Sequence, residues 1–390
     1  MEKHICNRCG NSDQRFFGIR NGEIYCRKCL MFQGEKADNS YIPKSCKANM
    51  KFKLSKKQEE ISLGLIENFK NGKNALLHAV TGAGKTELSY GVIEYALSLK
   101  KHVGFALPRV DIVIDLLPRF KQDFKDAKVI GVYGGNHEKL EGDIIILTTH
   151  QLYRYEGYFD LIILDEIDAF PFKNNPELNY FFRKALIGNY VLMSATATEK
   201  DYSIVENDNG KVFLLMERYH HYPLPVPVFI KESSFPKIQI LNKLLFYFKK
   251  NKPVFIFAPT INTAKNLGLF LHLFFKNGRY VSSESPDRKK IISDFKKGFL
   301  KYLVTTSILE RGVTVKDLQV IVYFGHYDIY DQATLVQIAG RVGRKINAEK
   351  GEVIIYGKRE TREIKNAIKF IEDCNKKACL LYTSPSPRDS

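Results

Sequence analysis

The segment Ala79–Thr86, AVTGAGKT, has the composition of a phosphate-binding loop. An apolar run at 75–80 leads into it, and a helical pattern follows from Glu87. Glycines let backbone N–H groups curl around phosphate oxygens, and a helix N-terminus adds partial positive charge. Lys85 would reach the β- and γ-phosphates, and the Thr86 hydroxyl would hold Mg²⁺. This context favours nucleotide binding over a chance glycine-rich turn. The candidate loop residues are Thr81, Gly82, Ala83, Gly84, Lys85 and Thr86.

An acidic pair directly follows another apolar run. Asp165 and Glu166 come after the run at 161–164, 80 residues beyond Lys85. At the carboxyl end of a buried strand, an NTPase places one acid on Mg²⁺ and a second that polarises the attacking water. Solvated acids at a strand end would look the same in isolation. Their position behind the loop favours the metal role for Asp165 and the water role for Glu166.

Two arginines lie in a glycine-containing segment, QIAGRVGR, at 337–344. Glycine weakens helices, so helix propensity does not explain this pattern. We interpret Arg341 and Arg344 as guanidinium groups aimed at a γ-phosphate across a cleft between domains, with a solvated basic turn as the alternative. Gln337 would help Glu166 to orient the water. The predicted catalytic residues are Lys85, Asp165, Glu166, Gln337, Arg341 and Arg344.

Four of the seven cysteines form two CxxC pairs separated by 16 residues. The ligands would be Cys6, Cys9, Cys26 and Cys29. This spacing matches tetrahedral Zn²⁺ sites, and four thiolates leave no open position, so we predict a structural site. No strand–helix redox unit surrounds either pair. Bound Zn²⁺ would supply much of the local folding energy, and Cys46 would be a spare thiol.

Apolar runs alternate with helical stretches through most of the chain, as expected for strands buried in parallel sheets. The runs are 102–107, 143–147, 160–164 and 190–193, then 253–257, 302–305, 319–324 and 352–356. Prolines break regular structure, so the proline-rich stretch 219–237 is predicted to be a linker. The expected fold class is α/β, with two tandem domains and a small four-cysteine module ahead of them.

We place the four-cysteine zinc module at 1–50, the first α/β domain at 51–222 and the second at 223–375. Residues 1–50 are too few for a robust core, and Ser55 can cap the first helix after them. The segment 379–390 contains turn-forming residues and resembles translated sequencing-adaptor read-through. We expect it to be a non-native tail in place of the natural C-terminus, beyond a helix at 360–374.

The composition indicates a soluble globular protein, with 390 residues, 44% hydrophobic and 26% charged. Lysine and arginine total 60 against 43 acids, giving a net charge of +17. That balance suits a polyanion such as nucleic acid, although lysine-favouring codons and solvated charge would produce it too. No apolar run approaches about 18 residues, and no secretory signal begins the chain. We therefore expect a cytoplasmic protein without a membrane span or disulfides.

Five motifs occur in the order found in superfamily 2 helicases and translocases: Gln58, AVTGAGKTE, DEID, SATAT and QIAGRVGR. The resemblance extends over about 52–375 and implies two RecA-like domains with ATP between them. The finer resemblance is to the ComFA family of late-competence DNA-uptake ATPases, which carry a four-cysteine module before the motor. Further similar segments are LPRVD at 107–111, TTHQL at 148–152, DEIDAF at 165–170 and LERGVT at 309–314.

This resemblance implies an ATP-dependent single-stranded DNA translocase that drives DNA uptake in natural transformation. It would work at the cytoplasmic face of the membrane, with a competence channel protein and other competence factors as partners. Whether the protein forms a homo-oligomer stays open. It also implies that Gln58 reads adenine. The candidate nucleic-acid contacts are Arg109, Thr148, Thr149, Thr305, Thr306 and Arg311.

Three rival functions stay open. A duplex-unwinding helicase for replication restart or repair would usually insert its zinc site within the motor, and no cysteine cluster lies between 47 and 373. An RNA helicase is disfavoured because the chain has DEID rather than DEAD, Gln337 where DEAD-box proteins have histidine, and Thr314 where they have aspartate. A nucleic-acid-binding module with a dead ATPase would not need the complete catalytic set.

Overall fold

The computed structural model describes residues 4–50, 53–136, 139–169, 171–220, 222–282, 284–306, 315–344, 348 and 350–383. Contacts divide the chain into two compact units, Met1–Ala79 with Lys85–Leu215 and Val80–Gly84 with Met216–Ser390. The main division after Leu215 lies earlier in the chain than the predicted one after residue 222. The cysteine-rich segment belongs to the first unit.

The N-terminal segment folds around an antiparallel hairpin of β1 (Phe17–Arg20) and β2 (Glu23–Cys26). A short 3-10 helix, Arg27–Met31, follows the hairpin. The next residue, Phe32, is buried, with its ring centroid 4.7 Å from that of Phe181. Three of the cysteines share this hydrophobic core with the rest of the unit. Composition alone suggested a separate module, whereas the packing joins the segment to the first unit.

A parallel sheet of seven strands forms the centre of the first unit. Its strands are β3 (Asn74–Ala79), β4 (Val103–Leu107), β5 (Val129–Val132), β6 (Ile144–Thr148), β7 (Phe159–Leu164), β8 (Leu186–Ser194) and β9 (Gly210–Leu215). Their order is β5-β6-β4-β7-β8-β3-β9. The four apolar runs predicted for this unit are central strands, because both faces of such strands are buried. The edge strands β5 and β9 were not predicted, since they are short or only partly buried.

Helices cover this sheet and begin at recognisable signals. They are α1 (Lys56–Lys70), α2 (Lys85–Leu88), α3 (Tyr90–Ser98), α4 (Val110–Asp123), α5 (Pro176–Ala185) and α6 (Glu199–Asn207). Ser55 caps α1, as predicted, because its hydroxyl oxygen accepts the Gln58 N–H at 3.3 Å. Between α2 and α3, the Ser89 hydroxyl donates to the Thr86 carbonyl at 2.7 Å and competes with the regular helical pattern.

The second unit contains a parallel six-stranded sheet. Its strands are β10 (Val228–Lys231), β11 (Val254–Ala258), β12 (Gly278–Val281), β13 (Tyr302–Thr306), β14 (Gln319–Val322) and β15 (Val353–Gly357). Their order is β10-β15-β14-β11-β13-β12. Its helices are α7 (Pro236–Lys249), α8 (Ile261–Phe274), α9 (Arg288–Lys296), α10 (Gln332–Ala339) and α11 (Arg362–Thr383). The four strands predicted here are confirmed.

Two predictions at the ends of this unit are wrong in part. The linker expected at 219–237 contains the edge strand β10, and its last proline, Pro236, starts α7, a helix position that proline favours. The final helix α11 continues to Thr383, although turns were expected from 379. Residues 379–383 contain no glycine or proline, so nothing local stops the helix; residues 384–390 lie outside the described part. No described helix has both the length and the apolar character of a membrane span.

Candidate nucleotide site and metal centre

The predicted phosphate loop joins β3 to α2 at the carboxyl edge of the first sheet. Gly82 and Gly84 have φ values of +87° and +80°, in the left-handed region that favours glycine. The Ala83 N–H donates to the Val80 carbonyl at 3.1 Å and closes the turn. Lys85 Nζ donates to the Ala79 carbonyl at 3.1 Å, which holds the ammonium against the start of the loop. The backbone therefore has the conformation that a phosphate cradle needs.

Asp165 and Glu166 follow the end of β7, as predicted. The Asp165 carboxylate accepts the Glu166 N–H at 2.8 Å. Burial and the neighbouring Glu166 carboxylate raise the pKa of Asp165 to about 6, while the positive charge of Lys85 opposes this rise. Lys85 therefore lies near enough to act electrostatically on this acid. Glu166 has a φ of +57°, and such strain, about 1–3 kcal/mol, is common at functional sites.

Asp168 has a structural role that sequence reasoning missed. Its Oδ1 accepts the Ser194 hydroxyl at 2.9 Å, and its Oδ2 accepts the Thr196 hydroxyl at 2.7 Å. The Thr196 N–H also donates to Ser194 Oγ at 3.0 Å. The last acid of DEID thus anchors the SATAT segment at the end of β8. The sequence shows hydroxyl side chains at Ser194 and Thr196, at the end of an apolar run. It does not show that both bind Asp168.

A buried histidine joins the SATAT segment to the strand that leads into the loop. His78 lies on β3 and is 3% exposed. Its Nε2 is 3.3 Å from the Ala195 carbonyl, and its Nδ1 is 2.5 Å from the Tyr202 hydroxyl. A carbonyl only accepts, so Nε2 carries a proton. Neighbouring strand ends are therefore connected through buried polar contacts.

Gln58, expected to read adenine, is 7% exposed at the start of α1. Its side-chain oxygen accepts the Ser55 N–H at 2.8 Å and completes a capping box. The structure thus gives the amide oxygen a role in the helix cap. Adenine recognition stays a prediction.

The two predicted catalytic arginines lie on a tight turn after α10, in the second unit. Arg341 is 4% exposed, whereas Arg344 and Gln337 are half-buried. Arg344 Nε donates to the Gly340 carbonyl at 2.8 Å, and Gly343 has a φ of +69°. The turn is compact, and the role of the arginines stays a prediction.

The nucleic-acid candidates are mostly buried. Four threonines lie at or next to the carboxyl ends of β6 and β13, and none is more than 7% exposed: Thr148, Thr149, Thr305 and Thr306. Arg109 makes a two-bond ion pair with Asp111, at 3.0 and 2.9 Å. Arg311 lies outside the described residues. The structure therefore places these candidates at strand ends or in an ion pair, and their contact with nucleic acid stays a prediction.

The four predicted ligand cysteines come together. Their Sγ atoms lie within 4.8 Å of one another, with Cys6 and Cys29 at 3.4 Å and Cys9 and Cys26 at 3.7 Å. Tetrahedral zinc with Zn–S bonds of about 2.3 Å needs sulfur–sulfur separations of about 3.8 Å. Burial raises the pKa of Cys9 to about 11, and a dication would favour the thiolates. The donor set therefore fits zinc.

The first metal-binding turn depends on a glycine. Gly10 has a φ of +71°, and its N–H donates to the Cys6 carbonyl at 2.8 Å. A Cβ atom at this position would lie 2.5 Å from the Tyr180 ring. The Tyr180 hydroxyl donates to the Asn7 carbonyl at 2.9 Å. The turn is thus packed directly against α5.

Comparisons with known proteins agree with this architecture. A family model described as type III restriction enzyme, res subunit, matches 51–201, and the helicase conserved C-terminal domain matches 236–346. The chain is 34% identical to competence protein ComFA of Bacillus subtilis, over 96% of this chain and 86% of that protein. It is 32% identical to ComFA of Streptococcus pneumoniae, over 97% and 92%. The chain belongs to the ComFA family.

The fold of this ComFA-family protein is also similar to that of S. cerevisiae Dbp5 bound to RNA and ADP BeF3. The TM-score is 0.63 at 18% identity, covering 83% of this chain and 88% of that chain. The predicted α/β class with two RecA-like domains is therefore confirmed. The ComFA-family protein is an ATP-hydrolysing superfamily 2 enzyme, and this class uses ATP with Mg²⁺.

Proposed function

We propose that this ComFA-family protein is an ATP-dependent single-stranded DNA translocase that drives DNA uptake in natural transformation. The observation that carries the proposal is similarity over nearly the full chain to two competence proteins. The net charge of +17 suits a nucleic-acid substrate. The protein would act at the cytoplasmic face of the membrane, with a channel protein and other competence factors as partners.

In this proposal the phosphate loop binds ATP, together with Lys85, Asp165 and Glu166 of the first unit. Lys85 neutralises the β- and γ-phosphates, while Thr86 and Asp165 hold Mg²⁺. The bound metal would offset phosphate charge. Burial raises the pKa of Asp165, while the Lys85 charge and a bound Mg²⁺ would favour its carboxylate form. Glu166 polarises the attacking water, helped by Gln337.

Domain closure would then couple hydrolysis to movement. Arg341 and Arg344 of the second unit approach the γ-phosphate when the domains close, which completes the catalytic set. The Asp168 contacts with Ser194 and Thr196 would carry changes at the acidic motif to the end of β8. Strand ends near Thr148 and Thr306, with Arg109 and Arg311, would hold DNA phosphates without reading bases.

We further propose that the four cysteines hold one structural Zn²⁺. Their geometry supports this, and the core they share with Phe32 makes the site a support for the first unit. Purified protein should contain one zinc per chain by atomic absorption. A Cys9→Ser variant should lose zinc and melt at a lower temperature. Absence of zinc from the wild type, or wild-type melting of the variant, would refute the site.

A displacement assay tests the motor function. The full chain is given ATP and single-stranded DNA that carries a streptavidin block at one end, and a second sample carries the block at the other end. We expect displacement from one end, dependent on ATP hydrolysis, and none with Lys85→Ala. A forked duplex is tested in parallel. Efficient unwinding of the fork without displacement would support a duplex-unwinding helicase instead.

A further inference from the structure

Arg218 is a buried cation to which none of the sequence motifs assigns a role. It lies shortly after β9, belongs to the second unit and is 1% exposed. Its Nη1 donates to the carbonyls of Val342 and Gly343 at 2.8 and 3.0 Å. Its Nη2 donates to the Gly340 carbonyl at 3.1 Å. All three acceptors lie on the turn that carries Arg341 and Arg344, which we call the arginine turn (340–344).

The next two residues hold the same turn. The Tyr219 hydroxyl donates to the Arg344 carbonyl at 3.0 Å, and His220 Nε2 lies 2.8 Å from the Gly343 carbonyl. A carbonyl only accepts, so His220 donates from Nε2, while its Nδ1 accepts the Tyr222 N–H at 3.2 Å. Three consecutive side chains thus bind four main-chain carbonyls of the arginine turn.

Burying the charged side chain of Arg218 costs free energy, and its hydrogen bonds must offset that cost. In the described part of the chain, its guanidinium donates to these carbonyls alone, and Nε has no hydrogen-bond partner. Burial and the Arg344 charge lower the pKa of Arg218 to about 9, so it is still charged at neutral pH. An apolar side chain would fill the space at lower cost. A planar guanidinium, however, reaches several carbonyls at once in fixed geometry.

We propose that Arg218 is a positioning residue for the catalytic arginines, fixing the arginine turn so that Arg341 and Arg344 can meet the γ-phosphate. The inference rests on the role proposed above for those two arginines. In this proposal Arg218 acts through its hydrogen bonds to the turn rather than through a contact with the nucleotide. Its loss should therefore slow the chemical step and leave nucleotide binding in place.

The test compares Arg218→Met, Arg218→Lys, Arg341→Lys and the double variant Arg218→Met/Arg341→Lys in the full chain. We expect Arg218→Met to lower kcat for ATP hydrolysis by about 100-fold, because small misplacements of catalytic groups have effects of this size. The Kd for a non-hydrolysable ATP analogue should stay within about threefold, since groups acting in the transition state affect kcat. Lysine keeps the positive charge but lacks the planar guanidinium group, so Arg218→Lys should have a kcat close to that of Arg218→Met.

The double variant separates positioning from a general effect on the fold. If Arg218 acts through Arg341, the double variant loses little more than the more impaired single variant. Losses that simply multiply, or an Arg218→Met variant with wild-type kcat, would overturn the proposal. Arg183→Met, which removes a half-exposed arginine of α5, is the control and should keep wild-type kcat.

Two further variants, Tyr219→Phe and Arg344→Lys, complete the test. If Arg218→Met does not fold, Tyr219→Phe removes one hydroxyl contact to the same turn at a position 43% exposed. We expect its kcat to fall roughly threefold to tenfold, the effect of one hydrogen bond, while the melting temperature falls by no more than a few degrees. Unchanged kcat in Tyr219→Phe would then refute the positioning role. Unchanged kcat in Arg341→Lys and Arg344→Lys would instead show that the proposed role of the arginines is wrong, and the inference falls with it.

Discussion

At the residue scale, the Gln58 amide connects helix capping with proposed adenine recognition. Its oxygen completes the capping box of α1. A Gln58→Glu variant keeps an acceptor for this cap but lacks the amide N–H₂ group that an adenine contact would use. We expect unchanged thermal stability, a KM for ATP about tenfold higher (one lost contact of about 1.4 kcal/mol) and weaker discrimination between ATP and GTP.

The comparison variant is Gln58→Ala, which loses both roles. It should show the same change in KM and should also destabilise the first unit by about 0.5–2 kcal/mol. Steady-state kinetics with both nucleotides and thermal melts measure the two effects separately. If Gln58→Glu has the wild-type KM for ATP, the residue is a helix cap only.

A second prediction at this scale concerns Asp168. Removing its carboxylate leaves two hydroxyls of the SATAT segment without their acceptor, and hydrogen bonds to a charged group are worth about 1.5–3 kcal/mol each. Asp168→Ala should therefore raise amide hydrogen exchange at 193–198. Asp38→Ala is the control, because Asp38 is exposed and accepts hydrogen bonds from Ser40. Unchanged exchange at 193–198 in Asp168→Ala would contradict the anchoring role.

Sequence reasoning could propose residues at this scale where motifs and their spacing along the chain indicate a chemistry. The prediction that the four cysteines come together is confirmed, whereas the catalytic roles of Lys85 and Asp165 stay predictions. The contacts of Asp168 and Arg218 could not be predicted, because their partners are 26 and 124 residues away along the chain. Only the folded structure brings such side chains and acceptors together.

At the element scale, the first metal-binding turn supports both zinc binding and packing onto α5. Gly10→Ala should destabilise this turn for two reasons. The backbone has a positive φ, and the added Cβ atom would lie 2.5 Å from the Tyr180 ring. Gly22→Ala is a matched control, with a φ of +83° and no atom within 4 Å of its Cβ position. We expect Gly22→Ala to cost about 1–2 kcal/mol from backbone strain alone.

Zinc content and melting temperature measure the difference between these two glycine variants. Gly10→Ala should lose zinc more readily and melt at a lower temperature than Gly22→Ala. Equal stability of the two variants would show that contact with α5 contributes nothing to the turn.

Element prediction depended on burial. Central strands such as β4 and β7 were predicted because continuous apolar runs mark strands buried on both faces. The edge strand β10 was missed because neighbouring prolines suggested a linker, and proline is tolerated beside edge strands. The hairpin of β1 and β2 was missed because most of its residues are half-buried or exposed, so it lacks an apolar run.

At the scale of the whole molecule, the ATPase assignment and the DNA-uptake assignment have different support. The matched helicase family models and membership of the ComFA family establish an ATP-hydrolysing enzyme. The transported polymer is a proposal supported by relatives named competence proteins and by a net charge of +17. Charge alone attracts any nucleic acid, so it does not distinguish DNA from RNA.

The most direct test is steady-state ATP hydrolysis by the full chain with single-stranded DNA, duplex DNA and RNA of equal length at one salt concentration. Lys85→Ala is the control for contaminating activity and should be inactive with every polymer, because it lacks the ammonium that neutralises the phosphates. The DNA-uptake account predicts that single-stranded DNA stimulates hydrolysis most strongly. Equal or greater stimulation by RNA, or no stimulation by single-stranded DNA, would contradict it.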